Sequence, residues 1–349
     1  MQKGELRMSE VSEMKATRDA YGETLVELGR ENPGICVLDA DLSSSTKTSM
    51  FAKAFPDRFF NAGIAEANMM GIAAGLARSG KVPFASTFAV FASGRTYDQV
   101  RQSIAYPGFN VKIVASHGGL TVGPDGASHQ ALEDIALMRA IPGMVVVVPC
   151  DAQETRLAVR AAAAYEGPVY IRLGREKVPQ ILKPYEIFEI GRGLVLWPEL
   201  SEGSIDDPIE ERLRSDSEEP PFDVCFIACG VTVQPALEAA QTLEGEGISC
   251  LVIDMACIKP IDEALLGKAA RSSRVIITCE EHNIIGGLGS AVCETVSRIH
   301  PVPVIRLGVN DEFGQSGSAK ELMEAYGLTR ERFCEEARSF LGTWWQFFS

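Results

Sequence analysis

The strongest constraint on the fold is a regular alternation of apolar and amphipathic runs that begins near Lys15. Runs such as ICVLD, VKIVAS and MVVVVP are apolar at nearly every position, which is typical of strands buried on both faces. The runs between them, such as TRDAYGETLVELGREN and DAQETRLAVRAAAAY, have helical periodicity. This order predicts parallel sheets covered by helices, with ligands beyond the carboxyl ends of the strands.

The alternation is interrupted once, which predicts two domains. A chain of 349 residues also exceeds the size of about 250 residues at which single cores stop growing. The interrupting stretch WPELSEGSIDDPIEERLRSDSEEPP is acidic and rich in Pro and Ser, as solvated linkers are. We predict two doubly wound α/β domains. The boundaries are an N-terminal arm at 1–14, a first domain at 15–185, an acidic linker at 186–221 and a smaller second domain at 222–349.

Composition excludes several classes of partner. The net charge of -14 argues against nonspecific binding to nucleic acid or to an anionic membrane. No apolar run reaches the roughly 18 residues of a spanning helix, and the first residues contain no apolar signal-peptide core. The nine cysteines are scattered, as reduced thiols are, and Cys225 and Cys229 lack a second pair to complete a metal site. We therefore expect a cytoplasmic protein without a metal site of its own.

The stretch GIAEANMMGIAAGLARSG places one carboxylate, Glu66, at the head of a small and apolar helical run. An acid in a first helical turn commonly serves only the helix dipole. Here Gly71 and Gly75 lie one turn apart, which lets another backbone approach closely, so we expect a helix that is buried or at an interface. A desolvated Glu66 would have a raised pKa and could give or share a proton near neutrality.

The loop HGGLTVGPDGASHQ, at residues 117–130, is the second candidate for chemistry. It follows the predicted strand VKIVAS and contains His117, Asp125 and His129, with two of the chain's four histidines. Such a loop can bring imidazoles and backbone close to a polar ligand. A plain flexible turn, in which Asp125 serves only backbone geometry, is the alternative.

These segments, taken in order, resemble the C-terminal half of transketolase from Thr17 onwards, and especially the split form made of two polypeptides. The segments that carry the resemblance are ATRDAYGETL, DADLSSSTK, FFNAGIAEANMMGIAAGLA, ASTFAVF, SHGGLTVGPDGASHQALEDIALMRAIPGM, GPVYIRLGREKVP and CEEHNIIGGLGSAV. The resemblance implies a pyrimidine-binding thiamine diphosphate fold followed by a transketolase C-terminal domain. It also implies thiamine diphosphate as cofactor and transfer of a two-carbon unit from a ketose phosphate to an aldose.

The resemblance implies two groups of site residues. For the cofactor, Glu66 matches the catalytic glutamate that bonds N1' of the aminopyrimidine ring, where a protonated carboxyl favours the imino tautomer. The other matches at the cofactor are Asp41, Phe88 and Phe91. Asp41 could equally cap the following turn, and the two phenylalanines could be ordinary core residues.

For the substrate, the family's sugar channel and phosphate anchors are matched by polar residues from separate segments. The channel residues are His117, Asp125 and His129, with both histidines as catalytic candidates; the phosphate anchors are Arg18, Ser45 and Arg175, assisted by His117. Guanidinium groups suit phosphate, although a solvated arginine is the more common outcome in a loop such as that of Arg175.

Some positions depart from the family's pattern. Ala65 and Ala67 flank the glutamate where many single-chain members have Arg and His. The third aromatic residue of the pocket has no clear counterpart, since Gly94 falls near its position and Tyr97 is shifted. The acidic segment 199–219 is longer than the usual connection and has no assigned role.

The family's diphosphate and metal site is the missing part. The sequence contains no GDG triplet, the motif with which members bind the Mg2+ of the cofactor. We therefore expect an N-terminal subunit to supply the Mg2+ ligands, and this chain to be inactive alone. Closed symmetry favours an α2β2 heterotetramer.

Three other functions are compatible with the pattern. The beta subunit of 2-oxo acid dehydrogenases and deoxyxylulose phosphate synthase share the domain pair, and the segment RTYDQVRQS keeps the synthase open. The third is a noncatalytic regulatory protein, against which an intact Glu66 with an aromatic slot argues. The sugars used remain open at this stage.

Overall fold

The computed structural model describes residues 14–183, 187–198, 209 and 220–348, and it contains two large β-sheets with helices packed against them. The strands of the first half are β1 (Met14–Ala16), β2 (Ile35–Asp39), β3 (Phe59–Asn61), β4 (Val82–Phe88), β5 (Lys112–Ser116), β6 (Val145–Val147), β7 (Val169–Arg172) and β8 (Lys177–Pro179). The helices of this half are α1 (Thr17–Glu31), α2 (Ser43–Thr46), α3 (Ser49–Ala54), α4 (Glu66–Arg78), α5 (Tyr97–Gln99), α6 (Asp134–Ala140) and α7 (Ala152–Ala164).

The second half continues the alternation. Its strands are β9 (Leu194–Trp197), β10 (Phe222–Ala228), β11 (Cys250–Asp254), β12 (Cys257–Lys259), β13 (Ser273–Asn283) and β14 (Val304–Val309). Its helices are α8 (Val233–Gly245), α9 (Glu263–Ser272), α10 (Leu288–Ile299), α11 (Ala319–Ala325) and α12 (Arg330–Phe348). In the part of the chain that the structure describes, no helix is long and apolar enough to cross a membrane.

The first sheet has the strand order β12-β6-β7-β5-β4-β2-β3, and all its neighbours are parallel except β12. Successive residues of its strands enter different cores, as the pleat requires: Val37 packs with α1, α3 and α7, and Leu38 packs with α4 and α6. The sheet is therefore covered on both faces, as predicted. The carboxyl ends of β4, β5 and β7 lie side by side at one edge.

The second sheet has the order β14-β13-β10-β11-β9. Its central strands are parallel, and β9 runs antiparallel to β11 at the edge. Helices α8 and α12 pack on one face, while α9 and α10 share a buried cluster with residues of the first domain. The two predicted α/β domains are therefore both present, and a continuous apolar core joins them.

Strand β12 crosses the predicted boundary between the two domains. It follows β11 in sequence, yet it pairs antiparallel with β6 at the edge of the first sheet. Strand β6 is buried at every position, and an unpaired edge of that kind would expose backbone donors and acceptors. The segment at 257–259 covers that edge, so the second domain contributes a strand to the first.

The predicted linker at 186–221 is also corrected in part. Within it, Leu194–Trp197 forms strand β9 of the second sheet rather than a solvated connection. The acidic segment 199–219 lies outside the described residues except for Ile209, and so does most of the predicted arm at 1–14.

A buried pair of acids joins the two domains. Glu154 lies in the first turn of α7, and Asp254 is the last residue of β11. One oxygen of each carboxyl group and the Sγ atom of Cys150 lie within 4.8 Å of one another. Burial raises the pKa of both carboxyl groups, and the charge of Asp254 raises the pKa of Glu154 further. We expect the pair of acids to retain a proton near neutral pH.

We predict that Asp254→Asn raises the thermal unfolding midpoint at pH 8 by a few degrees and changes it little at pH 5. An unfolded Asp has a pKa of about 3.9, whereas the buried one keeps its proton to higher pH. The folded state therefore binds more protons between these two values, and stability is lost as pH rises through that window. Asn stays neutral at every pH, and its amide can donate a hydrogen bond to Glu154. The substitution therefore removes the loss of stability at high pH.

Circular dichroism melts at the two pH values would measure this difference, with the exposed Asp57→Asn as control. Equal shifts of the midpoint at pH 5 and pH 8 would contradict the raised pKa of Asp254.

Candidate functional site

Glu66 is the first residue of α4, and its side chain is 7% exposed. The helix buries the face that carries Met69, Met70, Ala73 and Ala74. Its other face is open, since an added Cβ at Gly71 or Gly75 would meet nothing within 4 Å, and Ile72 is 37% exposed. The sequence therefore placed the carboxyl group correctly in a desolvated position, while the helix itself is only half-buried within this chain.

The carboxylate of Glu66 has a partner that the sequence did not reveal. Arg95 Nη1 lies 3.0 Å from Glu66 Oε1, and the Arg95 guanidinium carbon lies 4.0 Å from the centre of the Phe91 ring. The segment Phe91–Arg95 is π-helical, a geometry frequent at functional sites. Arg95 thus contacts both an acid and an aromatic ring that the resemblance assigns to the cofactor.

Four rings form an aromatic wall next to this pair: Phe88, Phe91, His117 and His129. Phe88 stacks on His117 with ring centres 3.8 Å apart and on Phe91 at 5.9 Å. His129 meets Phe91 edge-on at 5.7 Å and Phe88 at 6.3 Å. The pairing of Phe88 with Ser116 across β4 and β5 brings the strand end and the loop together. The structure therefore joins residues from two predicted segments in one wall.

His117 is held in an uncommon conformation. Its φ is +59°, its side chain is buried, and Ser116 Oγ lies 2.9 Å from its Nδ1. Burial, assisted by the charges of Arg18 and Arg175, lowers the pKa of His117 to about 3. The imidazole is therefore neutral near pH 7, with one nitrogen able to donate and the other able to accept.

Two guanidinium groups lie on the same side of the site. Arg18 Nη1 donates to the Ser45 carbonyl oxygen at 3.1 Å. Arg18 Nε is buried and has no hydrogen-bond partner among the described residues. Burial lowers the pKa of Arg18, and the charge of Arg175 contributes to that shift. An unsatisfied, buried cationic donor fits an anionic ligand, because leaving it unpaired is costly.

Arg175 is tied to the loop 117–130. Its Nη1 donates to the Val122 carbonyl oxygen at 2.5 Å and lies 3.4 Å from Asp125 Oδ2. The side chain is 29% exposed, so it is not the freely solvated arginine that its loop position would suggest. Asp125 itself is exposed and acts on the site through this ion pair.

Asp41 lies at the carboxyl end of β2, where it is exposed with a φ of +64° and pairs with Asn61. The turn is capped instead by the fully buried Asp39. Asp39 accepts hydrogen bonds from the Leu42 amide and from the hydroxyl groups of Thr46 and Thr48. The capping role considered for Asp41 therefore belongs to Asp39, and Asp41, bonded to Asn61, remains exposed to a ligand.

The arrangement fits the pyrimidine half of the cofactor. A desolvated carboxyl group beside aromatic rings is the donor set that a protonated or hydrogen-bonding heterocycle requires. Glu66, Phe88 and Phe91 could hold such a ring, and Asp41 stands at the neighbouring strand end. The neutral imidazole of His117 suits sugar hydroxyl groups, and the guanidinium groups of Arg18 and Arg175 suit a terminal anion.

Two family models match the chain. The model of the transketolase pyrimidine binding domain matches residues 13–180, and the model of the transketolase C-terminal domain matches residues 215–333.

Relatives resemble the chain over nearly its whole length. A protein described as a transketolase C-terminal section from Methanocaldococcus jannaschii is 49% identical over 320 residues, which cover 91% of this chain and 93% of the relative. The 6-deoxy-6-sulfo-D-fructose transketolase subunit SqwH of Clostridium sp. is 39% identical over 320 residues, with 92% of each chain covered.

A solved structure agrees with these relatives. The structure of a split gene transketolase, an inactive beta4 tetramer, is 54% identical and has a TM-score of 0.81, with 93% of this chain and 98% of that chain covered. The resemblance seen in the sequence is confirmed, and the chain belongs to the transketolase family, with the α/β pyrimidine-binding and C-terminal domains of that family.

Proposed function

We propose that this chain is the C-terminal subunit of a two-polypeptide transketolase that transfers a two-carbon ketol unit from a ketose phosphate to an aldose. The observation that carries the proposal is the meeting of three groups at one edge of the first sheet. These are the buried carboxyl group of Glu66, the aromatic wall, and the guanidinium groups of Arg18 and Arg175. The family implies thiamine diphosphate as the cofactor.

Each residue would have a limited task. Bound thiamine diphosphate supplies a carbon nucleophile and accepts the electrons of the two-carbon fragment. Glu66 would hold a proton at the ring nitrogen N1', with Phe88 and Phe91 excluding water from it. His117 and His129 would exchange hydrogen bonds with substrate hydroxyl groups, and the neutral His117 would do so through Nε2, since its Nδ1 bonds Ser116 Oγ.

The terminal anion of the substrate would be bound by Arg18 and Arg175, next to the Ser45 carbonyl group. One relative is a 6-deoxy-6-sulfo-D-fructose transketolase subunit, whose substrate carries a sulfonate. Guanidinium groups bind sulfonate and phosphate by the same charge-assisted hydrogen bonds. The proposal is therefore a sugar with an anionic group at its terminal carbon, and a phosphate is the first substrate to test.

We propose that a second polypeptide supplies the diphosphate and Mg2+ ligands. The open face of α4 supports an association at this edge, because Gly71 and Gly75 leave room for a backbone and the neighbouring Ile64 is 78% exposed. A related split transketolase forms an inactive beta4 tetramer, as expected for subunits that lack half of each site. With the N-terminal subunit we expect an α2β2 heterotetramer, and the described cysteines are free, in accord with a cytoplasmic location.

Reconstitution tests the proposal. The chain would be mixed with its candidate N-terminal subunit, thiamine diphosphate and Mg2+, and two-carbon transfer between sugar phosphates would be compared with decarboxylation of pyruvate. We expect transfer only in the complete mixture. Turnover by the chain alone would refute the subunit assignment, and pyruvate decarboxylation would favour the synthase or the 2-oxo acid dehydrogenase subunit.

We predict that Glu66→Gln lowers kcat of the reconstituted enzyme by about a thousandfold or more, since an amide cannot exchange a proton at N1'. The amide has nearly the same shape, so assembly should be retained, as size-exclusion chromatography would check. Full activity in this variant would mean that the acid is wrongly assigned.

We predict that Arg18→Met and Arg175→Met each raise the KM for a ketose phosphate by about tenfold to a hundredfold, because a charge-assisted hydrogen bond contributes about 1.5–3 kcal/mol. Steady-state kinetics would measure this effect. The matched control is Arg338→Met, whose guanidinium pairs with Glu246 on the surface of the second domain. An unchanged KM in both site variants would exclude the arginines as anion ligands.

A further inference from the structure

Loop 117–130, which carries His117 and His129, is fastened from the second domain. Glu281 of β13 is buried, and one of its carboxylate oxygens accepts a hydrogen bond from the Thr121 amide. Thr121 is four residues from His117 and lies in the short 3-10 segment Leu120–Asp125. A carboxylate of the C-terminal domain thus holds the backbone of a loop in the first.

The loop is shaped to receive this carboxylate. Gly119 has a φ of +83°, and an added Cβ at this position would overlap the carboxyl group of Glu281. Gly118 is packed in the same way against Arg172, whose Nη2 donates to the Glu281 carbonyl oxygen at 2.8 Å. The two glycines of the HGG sequence are therefore needed for close approach to Arg172 and Glu281.

Other contacts do not replace Glu281. Gln130 Nε2 donates to the carbonyl oxygens of Leu120 and Gln315, and Arg175 Nη1 donates to that of Val122. These contacts use carbonyl groups, and the Gly118 and Gly119 amides donate to the Leu173 and Ala131 carbonyl oxygens, whereas the Thr121 amide donates to the Glu281 side chain. Loss of its carboxylate would leave the Thr121 N–H buried and unpaired, and the loop would have to move to satisfy it.

We propose that Glu281 is a positioning residue for the two-carbon transfer: from the second domain it holds the Thr121 amide, packed against Gly119, so that His117 and His129 face the substrate. This inference rests on the proposed function. It gives the C-terminal domain a part in forming the substrate site, although that domain contributes none of the residues assigned to contact the sugar. Misplacement of catalytic groups by about 1 Å can cost about a hundredfold in rate.

The adjacent residue provides a matched control. Glu280 is equally buried in β13, but its carboxylate accepts hydrogen bonds from the Leu288 and Gly289 amides at 2.7 and 2.8 Å. It therefore caps α10 inside the second domain and does not contact the loop through these bonds. Glu280→Gln and Glu281→Gln compare two neighbouring acids of the same strand that hold different backbones.

The first measurement is amide hydrogen exchange in the isolated chain. In Glu281→Ala we expect exchange at residues 118–123 to accelerate by about tenfold or more, with exchange in the rest of the first domain unchanged. Glu281→Gln keeps an acceptor oxygen and should restore most of the protection. Glu280→Gln should lower the unfolding midpoint without changing exchange in the loop. Wild-type exchange at 118–123 in Glu281→Ala would overturn the inference.

The second measurement uses the reconstituted enzyme. Glu281→Ala should raise the KM for the ketose donor by about tenfold to a hundredfold while thiamine diphosphate affinity, followed by calorimetry, is unchanged. Glu281→Gln should lie close to wild type. An opened loop with wild-type KM would also overturn the inference, while transfer by the wild-type enzyme would still support the proposed function. Absence of transfer by the wild type would refute the proposed function, and hydrogen exchange would then decide alone whether Glu281 holds the loop.

Discussion

The structure depends on one buried ion pair at the carboxyl end of the first sheet. Arg172 is 4% exposed, and its Nε lies 3.0 Å from Asp134 Oδ2. A buried charge is tolerated only when its remaining donors are paired, and Arg172 also donates to the carbonyl oxygens of Ala131 and Glu281. Asp134 begins α6 and accepts a hydrogen bond from the Tyr170 hydroxyl group. The Arg172 guanidinium thus joins three elements. These are strand β7 of the first sheet, helix α6 after the loop 117–130, and strand β13 of the second domain.

The local parts of this structure could be read from the sequence, because they follow from periodicity. Strand β5 and helix α4 lie where their apolar patterns place them. Phe88 and His117 lie close together because the carboxyl ends of neighbouring parallel strands meet at one edge of the sheet. The non-local parts left no such signal. Strand β12 is three residues long, and its partner β6 lies far earlier in the chain. The sequence Asp39-Ala40-Asp41 does not show which of its aspartates is buried. The pairing of Glu66 with Arg95 depends on a π-helical backbone, which a 3.6-residue period does not predict.

The pair of Glu66 and Arg95 changes how the acid should be understood. The sequence suggested a carboxyl group alone among apolar neighbours, whereas the structure gives it a cationic partner that also covers the Phe91 ring. A heterocycle that bonds to Glu66 and packs on Phe91 would have to replace or share these contacts. The Arg95 side chain is 54% exposed, but that of Glu66 is only 7% exposed, so loss of Arg95 without a replacement would leave a buried carboxylate unpaired, which is costly. Arg95 can therefore leave the acid only when a heterocycle takes over its hydrogen bond.

The basic residues of the site differ in charge, since Arg18 and Arg175 are charged and His117 is neutral near pH 7. The chain as a whole carries a charge of -14 and repels anions at long range. Within the site, burial lowers the pKa of His117, and the charges of Arg18 and Arg175 lower it further. The imidazole is left neutral and suited to hydroxyl groups, since it can donate from one nitrogen and accept at the other. Any positive charge on His117 would have to be created beside two cations in a poorly solvated place. Under the proposed function, the guanidinium groups would therefore bind the terminal anion of the sugar, and His117 would bind the sugar chain.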